Sequence, residues 1–129
     1  MARRSDQPPD LEQLVRDVEE ATFRRSALWL DGRFTEELSR ADWDWPVNPT
    51  KRDVVDTGRL RSSQTRQPQS DGSVVFSWPV EYATAIHEGY VLRDGNRRMP
   101  GRPWTQRPLD QLPAMAQKIA DQEIRKWRG

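Results

Sequence analysis

The hydrophobic residues of this chain change their spacing twice, and this change limits the folds that the chain can adopt. A first stripe at helical spacing consists of Leu11, Leu14, Val15, Val18, Ala21 and Leu28. A second stripe consists of Leu109, Leu112, Met115, Ala116, Ile119, Ile124 and Trp127. Short β-rich segments bounded by glycine and proline lie between them. The pattern predicts an α+β fold in which a long N-terminal helix and a C-terminal helix pack on a small antiparallel β-sheet.

Capping and breaking residues set the predicted ends of the two helices. Asp10 is a suitable N-cap for a first helix over about residues 11–30, with Gln13 three positions later in a capping-box arrangement. Gly32 is expected to interrupt this helix, and Phe34 and Leu38 indicate a further turn or two before Trp43. Pro46 and Pro49 are then expected to stop any helix. The last helix is expected to begin near Pro108, or at Pro113, since proline is favoured in a first turn.

The middle of the chain predicts two hairpins joined by a short helix. Residues 73–78 form the clearest strand, and residues 62–67 are its expected antiparallel partner across a turn that ends at Gly72. Residues 81–88 predict a short helix capped by Gly89. The second hairpin is expected over residues 90–99, around the Asp94-Gly95 turn.

The length and composition predict one folded domain with a thin core. At 129 residues the chain is expected to form a mobile polar arm over residues 1–9 and a single domain over residues 10–129. Leu, Val, Ile and Phe number only 24, but the net charge is +1 and six tryptophans add apolar area. Such a subunit is expected to complete its burial against neighbouring subunits. The longest uncharged apolar run is far shorter than the roughly 20 residues of a membrane helix, so no membrane association is expected.

The chain offers few residues for metal, cofactor or covalent chemistry. It has no cysteine and one histidine, which cannot build the usual zinc site, and it contains no glycine-rich phosphate-binding motif. His87 lies inside a predicted helix, and the chain has no Gly-x-Ser-x-Gly segment. We therefore predict no catalytic residues, no metal and no cofactor. A hydrolase that uses His87 with Glu81 or Glu88 stays as a minor alternative.

Arginine and tryptophan are the two unusual components. Arginine supplies 18 of the 21 basic residues, and its planar fork suits carboxylates, phosphates and interface ion pairs. Interface ion pairing, a coding bias toward arginine and nucleic-acid binding all remain open, although a pI of about 8.2 is low for the last. Trp43 and Trp45 share a proline-rich loop that cannot bury both in a small core. At least one of Trp43, Trp45 and Trp104 is expected at a subunit contact.

Three segments, in order, resemble the tail-completion proteins of tailed bacteriophages, also called head–tail joining or neck proteins. The first is V-D-T-G-R-L-R-S-S, which contains Asp56, Thr57, Gly58, Arg59 and Leu60. The second is V-E-Y-A-T-A-I-H-E-G, which contains Tyr82, Ala83, Glu88 and Gly89. The third is G-R-P-W-T-Q-R-P-L, which contains Arg102, Pro103 and Trp104. Trp104 stands where that family usually has phenylalanine, and Gly101 where it usually has alanine.

The resemblance implies a structural virion protein with no enzymatic activity. It implies a ring, with a hexamer favoured and a dodecamer possible, in the neck between the head connector or adaptor protein and the tail terminator or tail tube protein. DNA would pass through the lumen without sequence-specific binding, and assembly would take place in the host cytoplasm. The alternative is a small arginine-rich nucleic-acid-binding protein.

Overall fold

The computed structural model describes residues 10–40, 58–91, 95 and 98–128. In chain order, its elements are α1 (Leu11–Leu38), α2 (Gly58–Ser62), β1 (Thr65–Pro68), β2 (Val74–Ser77), α3 (Ala83–Glu88), β3 (Gly89–Val91), β4 (Arg98–Pro100) and α4 (Gln106–Arg128). The predicted arm over residues 1–9 lies outside the described residues, as do Trp43, Trp45, Asp56 and Thr57. The α+β class is confirmed.

Helix α1 is a single helix of 28 residues, so the predicted interruption at Gly32 is wrong. Glycine costs about 1 kcal/mol in a helix interior relative to alanine. Leu30, Phe34 and Leu38 are all buried on one stripe that spans this position, and their burial outweighs that cost. At the other end Asp10 caps the helix as predicted, because its Oδ1 accepts a hydrogen bond from the backbone N–H of Gln13 at 3.2 Å.

Helix α4 begins at Gln106 and continues through Pro113, so the alternative start at Pro113 is wrong. Pro108 lies in the first turn and is fully buried, where proline is tolerated because its missing N–H would be unpaired anyway. Pro113 lies in the helix interior, where it removes one helical hydrogen bond. Burial of Ile119 and the packing of Leu112 against the core hold the helix together across it.

The strands form two separate two-stranded antiparallel sheets. In the first, Thr65 pairs with Ser77 and Pro68 with Val74, and the turn ends at Gly72 with a φ of 91°. This hairpin confirms the prediction, with slightly shorter strands. In the second sheet, Gly89 pairs with Pro100 and Val91 with Arg98. This hairpin is also confirmed, although its strands are displaced by one or two residues from the predicted bounds.

The core lies against the C-terminal half of α1. Its buried residues are Leu30, Phe34, Leu38, Leu60, Ile86 and Trp104. Aromatic rings meet edge to face there, with centroid distances of 5.4 Å between Phe34 and Trp78 and 5.3 Å between Trp78 and Trp104. Helix α4 runs antiparallel to α1, since Arg25 contacts Glu123 whereas Arg33 contacts Gln111. Among the described helices, none is both long and apolar enough to cross a membrane.

Candidate functional site

The three segments that resemble the tail-completion family meet at one place in the fold. Each contributes a buried side chain to the core cluster, namely Leu60, Ile86 and Trp104. We call the described parts of these segments, residues 58–63, 80–89 and 101–109, the motif cluster. Its three segments span about fifty residues of sequence, and in the fold they pack against one another as one unit.

The first segment of the motif cluster is anchored by Leu60 and presents Arg59 to solvent. Leu60 in α2 is fully buried. The guanidinium of Arg59 lies 5.3 Å from the centre of the Tyr82 ring, and its Nη2 lies 3.6 Å from Oε2 of Glu81. Both charged side chains are largely exposed, so the ion pair adds little stability. These contacts hold the start of the second segment beside the first.

The second and third segments are joined through the backbone. The N–H of Arg102 donates to the carbonyl oxygen of Ile86 at 2.8 Å. A Cβ at Gly101 would lie 2.6 Å from the carbonyl oxygen of His87 and 2.7 Å from the carbonyl carbon of Glu88. This close approach explains why glycine stands at position 101, because no side chain fits between the two segments.

His87 connects the end of α3 to the start of α4. Its Nδ1 lies 2.6 Å from Oε1 of Glu88, and its Nε2 lies 2.8 Å from Oγ1 of Thr105. The His87 ring also packs edge to face on Trp104 at 4.8 Å. The three polar groups border a cavity of about 350 Å³. A carboxylate, an imidazole and a hydroxyl in this order can also activate the hydroxyl as a nucleophile.

Of the two glutamates that the sequence left open beside His87, the structure brings only Glu88 to it. Glu81 instead pairs with Arg59. Thr105 was missed in the sequence because no local pattern relates it to a histidine 18 residues earlier. The same contacts have a structural role, since they fix the direction in which α4 leaves the motif cluster.

A buried carboxylate links the motif cluster to α1. Glu37 is 3% exposed, and its carboxylate lies 3.1 Å from Nη1 of Arg40, 3.4 Å from Nη2 of Arg33 and 3.8 Å from Nη1 of Arg107. Arg33 also donates to Gln111 in α4. These arginines form ion pairs within the subunit. The sequence pattern did not predict the pair with Arg107, because it joins residues 70 positions apart.

Polar contacts also clamp the middle of α1 to the C-terminal part of α4. Oε2 of Glu123 lies 2.7 Å from Nη1 of Arg25. The same oxygen lies 3.0 Å from Nζ of Lys126. The hydrogen bond from Lys126, followed by that from Arg25, lowers the pKa of the Glu123 carboxyl below its usual value. In the β1–β2 turn, hydrogen bonds from the side chain and backbone of Ser73 lower the pKa of Asp71 in the same way.

An apolar groove of about 540 Å³ lies between α1, α4 and the β1–β2 hairpin, and we call it the seam groove. It is lined by Val18, Glu19, Thr22, Phe23, Ser26, Ala27, Leu30, Ser73, Val74, Phe76, Leu112, Ala116 and Ala120. The groove lies along the part of α1 that precedes the core. Sequence reasoning missed it, because it depends on how far the hairpin covers the two helices.

The remaining predicted residues fall in different environments. Trp104 lies in the core at 2% exposure, so its indole is not presented to a neighbouring subunit. The predicted tryptophan contact therefore rests on Trp43 and Trp45. Tyr82 and Ala83 are half-buried against the core, and Gly89 has a φ of 89°, which explains glycine at the end of α3. Glu88 is exposed, and Arg102 is buried beside Pro103.

Comparisons with known proteins give no further guide to this site. No family model, no curated protein and no solved structure matches the chain. Within the described ranges, no three His, Asp or Glu side chains are grouped so that they could hold a metal ion. The function proposed below therefore depends on the chain's own residues.

Proposed function

We propose that this chain is a structural subunit of a tailed-bacteriophage virion that forms a ring in the neck and joins the head connector or adaptor protein to the tail. The observation that carries the proposal is the convergence of the three family-like segments into the motif cluster. The three segments share one core, and the second and third are joined by a direct backbone hydrogen bond.

The surface of the described residues supports assembly from identical copies. Large apolar side chains are exposed at Leu11, Val15, Phe23, Leu28, Val75, Val91, Leu109 and Ile124. An assembly of identical copies would bury part of this exposed apolar surface. A ring forms when one patch of each copy binds a different patch of the next and the rotation closes. We expect six copies, with twelve as the alternative, and contacts with the tail terminator or tail tube protein on the other face.

The proposed role needs no catalysis and no sequence-specific DNA contact. Several arginines are already paired with carboxylates of the same subunit, as Arg25 is with Glu123 and Arg66 with Asp31. A lumen of mixed charge would let DNA slide, whereas a continuous arginine lining would bind its phosphates. The ring is therefore proposed as a passage for DNA.

Electron microscopy of the particle that carries the chain tests this proposal. Labelled antibodies against the chain are expected to bind at the neck, and the purified protein is expected to form rings by itself or on purified connectors. Particles that lack the chain, together with a protein that forms no rings on connectors, would overturn it.

The contacts of His87 support a second candidate function, a hydrolase. In this reaction Oγ1 of Thr105 would attack a carbonyl carbon while Nε2 of His87 takes the hydroxyl proton and returns it to the leaving group. Water would then hydrolyse the acyl-threonine ester. The distances of 2.6 Å and 2.8 Å around His87 are the observation in its favour.

Covalent labelling separates the two candidates. The hydrolase predicts that a fluorophosphonate probe modifies Thr105 and that the modification is lost in His87→Gln. An unlabelled Thr105 in a folded protein would overturn the hydrolase and leave the ring proposal intact.

A further inference from the structure

We propose that β2 binds an extended segment of a partner protein as a third, antiparallel strand of the first sheet. The binding surface is the side of β2 that faces away from β1. It is formed by the backbone N–H and C=O groups of Val74 and Phe76, and we call it the β2 edge. The inference goes beyond the proposed ring, because it names the kind of segment that this surface binds, whatever the symmetry of the assembly.

The hydrogen bonds of the first hairpin show which backbone groups lie on the β2 edge. At the turn, the N–H of Gln69 donates to the carbonyl oxygen of Ser73 at 2.8 Å, so these two residues form a hydrogen-bonded pair. In an antiparallel ladder, hydrogen-bonded and non-hydrogen-bonded pairs alternate. Along the register that follows this pair, Val74 and Phe76 occupy the non-hydrogen-bonded positions. Their N–H and C=O groups therefore point away from β1.

These outward groups are unpaired in the described part of the chain. Among the described residues, no hydrogen bond reaches the outward N–H and C=O groups of Val74 and Phe76. The strand itself is held in place, because the Phe76 ring packs edge to face on Phe34 at a centroid distance of 5.1 Å. The β2 edge thus presents donors and acceptors in the spacing with which a strand adds to an open sheet.

The two edges of the hairpin differ in how they are protected against pairing. On the outer side of β1, Pro68 has no N–H to donate, and the charged Arg66 pairs with Asp31 at 2.7 Å. Proline and charged side chains are two means by which proteins protect an exposed edge. Strand β2 contains neither between Val74 and Ser77. The hairpin is therefore protected on one edge and open to pairing on the other.

The position of the β2 edge limits the occupant to a single segment. Val74 and Phe76 line the seam groove, whereas no residue of β1 does, so the open space lies along β2. Ala116 and Ala120 of α4 line the same groove, and their small side chains leave room for those of an added strand. Because α4 also bounds this space, a single extended segment fits it better than the edge of another folded sheet.

The ladder also defines the chemistry of the partner segment. Side chains that are directly opposite in an antiparallel pair lie on the same face of the sheet. The residues opposite Val74 and Phe76 therefore face the apolar groove, and the residue between them lies beside Val75, which is 45% exposed. The segment is thus apolar-x-apolar, without proline at the two apolar positions, because both must supply an N–H. The arm over residues 1–9 contains no such pattern, so the same arm of another copy is not the occupant.

Amide exchange measured by NMR on the native protein tests the proposal. The probe is the synthetic peptide Lys-Thr-Val-Thr-Val-Thr, which has the required pattern. We expect a saturating concentration of this peptide to slow exchange of the Val74 and Phe76 amides at least about tenfold. The amides of Val75 and Ser77 are internal controls, because they already pair with β1. Unchanged exchange at Val74 and Phe76, or equal slowing at all four amides, would overturn the inference.

Matched variants separate strand pairing from apolar adhesion. The same peptide with both valines N-methylated keeps its side chains but loses the two N–H groups, and we expect it to bind at least about tenfold more weakly. In the protein, Val74→Pro removes an outward N–H and should weaken binding of the unmodified peptide at least about tenfold, whereas Val74→Ala keeps this group and should stay within about threefold. Circular dichroism establishes that both variants are folded.

Equal binding of the methylated and unmethylated peptides would overturn strand addition and leave the neck proposal standing. A protein that binds the peptide through the β2 edge but is absent from the virion would overturn the neck proposal and leave this inference standing.

Discussion

Gly101 shows how a single position can decide the packing of the motif cluster. The backbone of His87 and Glu88 leaves no space for a side chain there. Trp104, three residues later in the same segment, is 2% exposed and lies in the core. Both residues lie against His87, since the ring of Trp104 packs edge to face on its imidazole at 4.8 Å.

Alanine at position 101 is expected to destabilise the fold. Gly101→Ala forces the backbone segments apart and should lower the free energy of unfolding by about 1–3 kcal/mol. Gly32→Ala is the matched control, because a Cβ at Gly32 meets nothing within 4 Å and alanine is the better helix former. The control should stabilise the protein by about 0.5–1 kcal/mol. Urea denaturation measures both, and an unchanged midpoint for Gly101→Ala would contradict the close approach.

Glu37 is the second residue whose environment leads to a prediction. Its removal leaves several guanidinium groups near a buried site without their shared carboxylate. We expect Glu37→Gln to lower the free energy of unfolding by about 2–4 kcal/mol. Glu36→Gln serves as the control, because Glu36 is 69% exposed and pairs with the same Arg33 at 3.6 Å. For Glu36→Gln we expect the free energy of unfolding to change by less than about 0.5 kcal/mol. Equal losses for the two variants would contradict the importance of the burial of Glu37.

At the scale of elements, local signals predicted some features and failed for others. Asp10 and the Gly72 turn were predictable because the responsible residues lie within four positions of each other. The continuity of α1 through Gly32 was not, because it depends on side chains from distant elements that bury Phe34. The contact of Glu37 with Arg107 and that of His87 with Thr105 likewise arise only when α4 packs on the rest of the chain.

The clamp between α1 and α4 predicts a pH dependence. Since hydrogen bonds from Lys126 and Arg25 lower the pKa of Glu123 in the folded state, the carboxylate contributes stability above the usual glutamate pKa. That contribution is lost as the pH falls through the lowered folded-state pKa. Thermal unfolding between pH 7 and pH 2 should show a larger decrease in melting temperature for the native protein than for Glu123→Gln. Parallel curves would contradict the role of the clamp.

At the scale of the whole molecule, the contacts of the arginines distinguish the neck proposal from the nucleic-acid-binding alternative. Several of those that the structure describes contact carboxylates, among them Arg25 and Arg33 at the α1–α4 seam and Arg66 in the first hairpin. Arginine that neutralises the chain's own acids is less available to phosphate, and the net charge of the whole sequence is only +1. The neck proposal accommodates this balance, whereas a nucleic-acid-binding protein would need a surplus of cations on one face.

A salt titration with duplex DNA tests this difference. We expect no measurable binding at about 50 mM salt, conditions under which counterion release favours phosphate contacts. A basic DNA-binding protein at the same concentration is the positive control. Binding that weakens steeply with added salt would contradict the ring with a passive lumen and favour the nucleic-acid-binding alternative.

The seam groove also affects the solubility of the newly synthesised protein. An apolar cleft of this kind is a surface on which a partly folded polypeptide can bind. Overproduction of the protein should therefore cause aggregation, and co-expression with its proposed assembly partners should keep it soluble. If the chain is the proposed neck subunit, assembly would protect it from such nonspecific association.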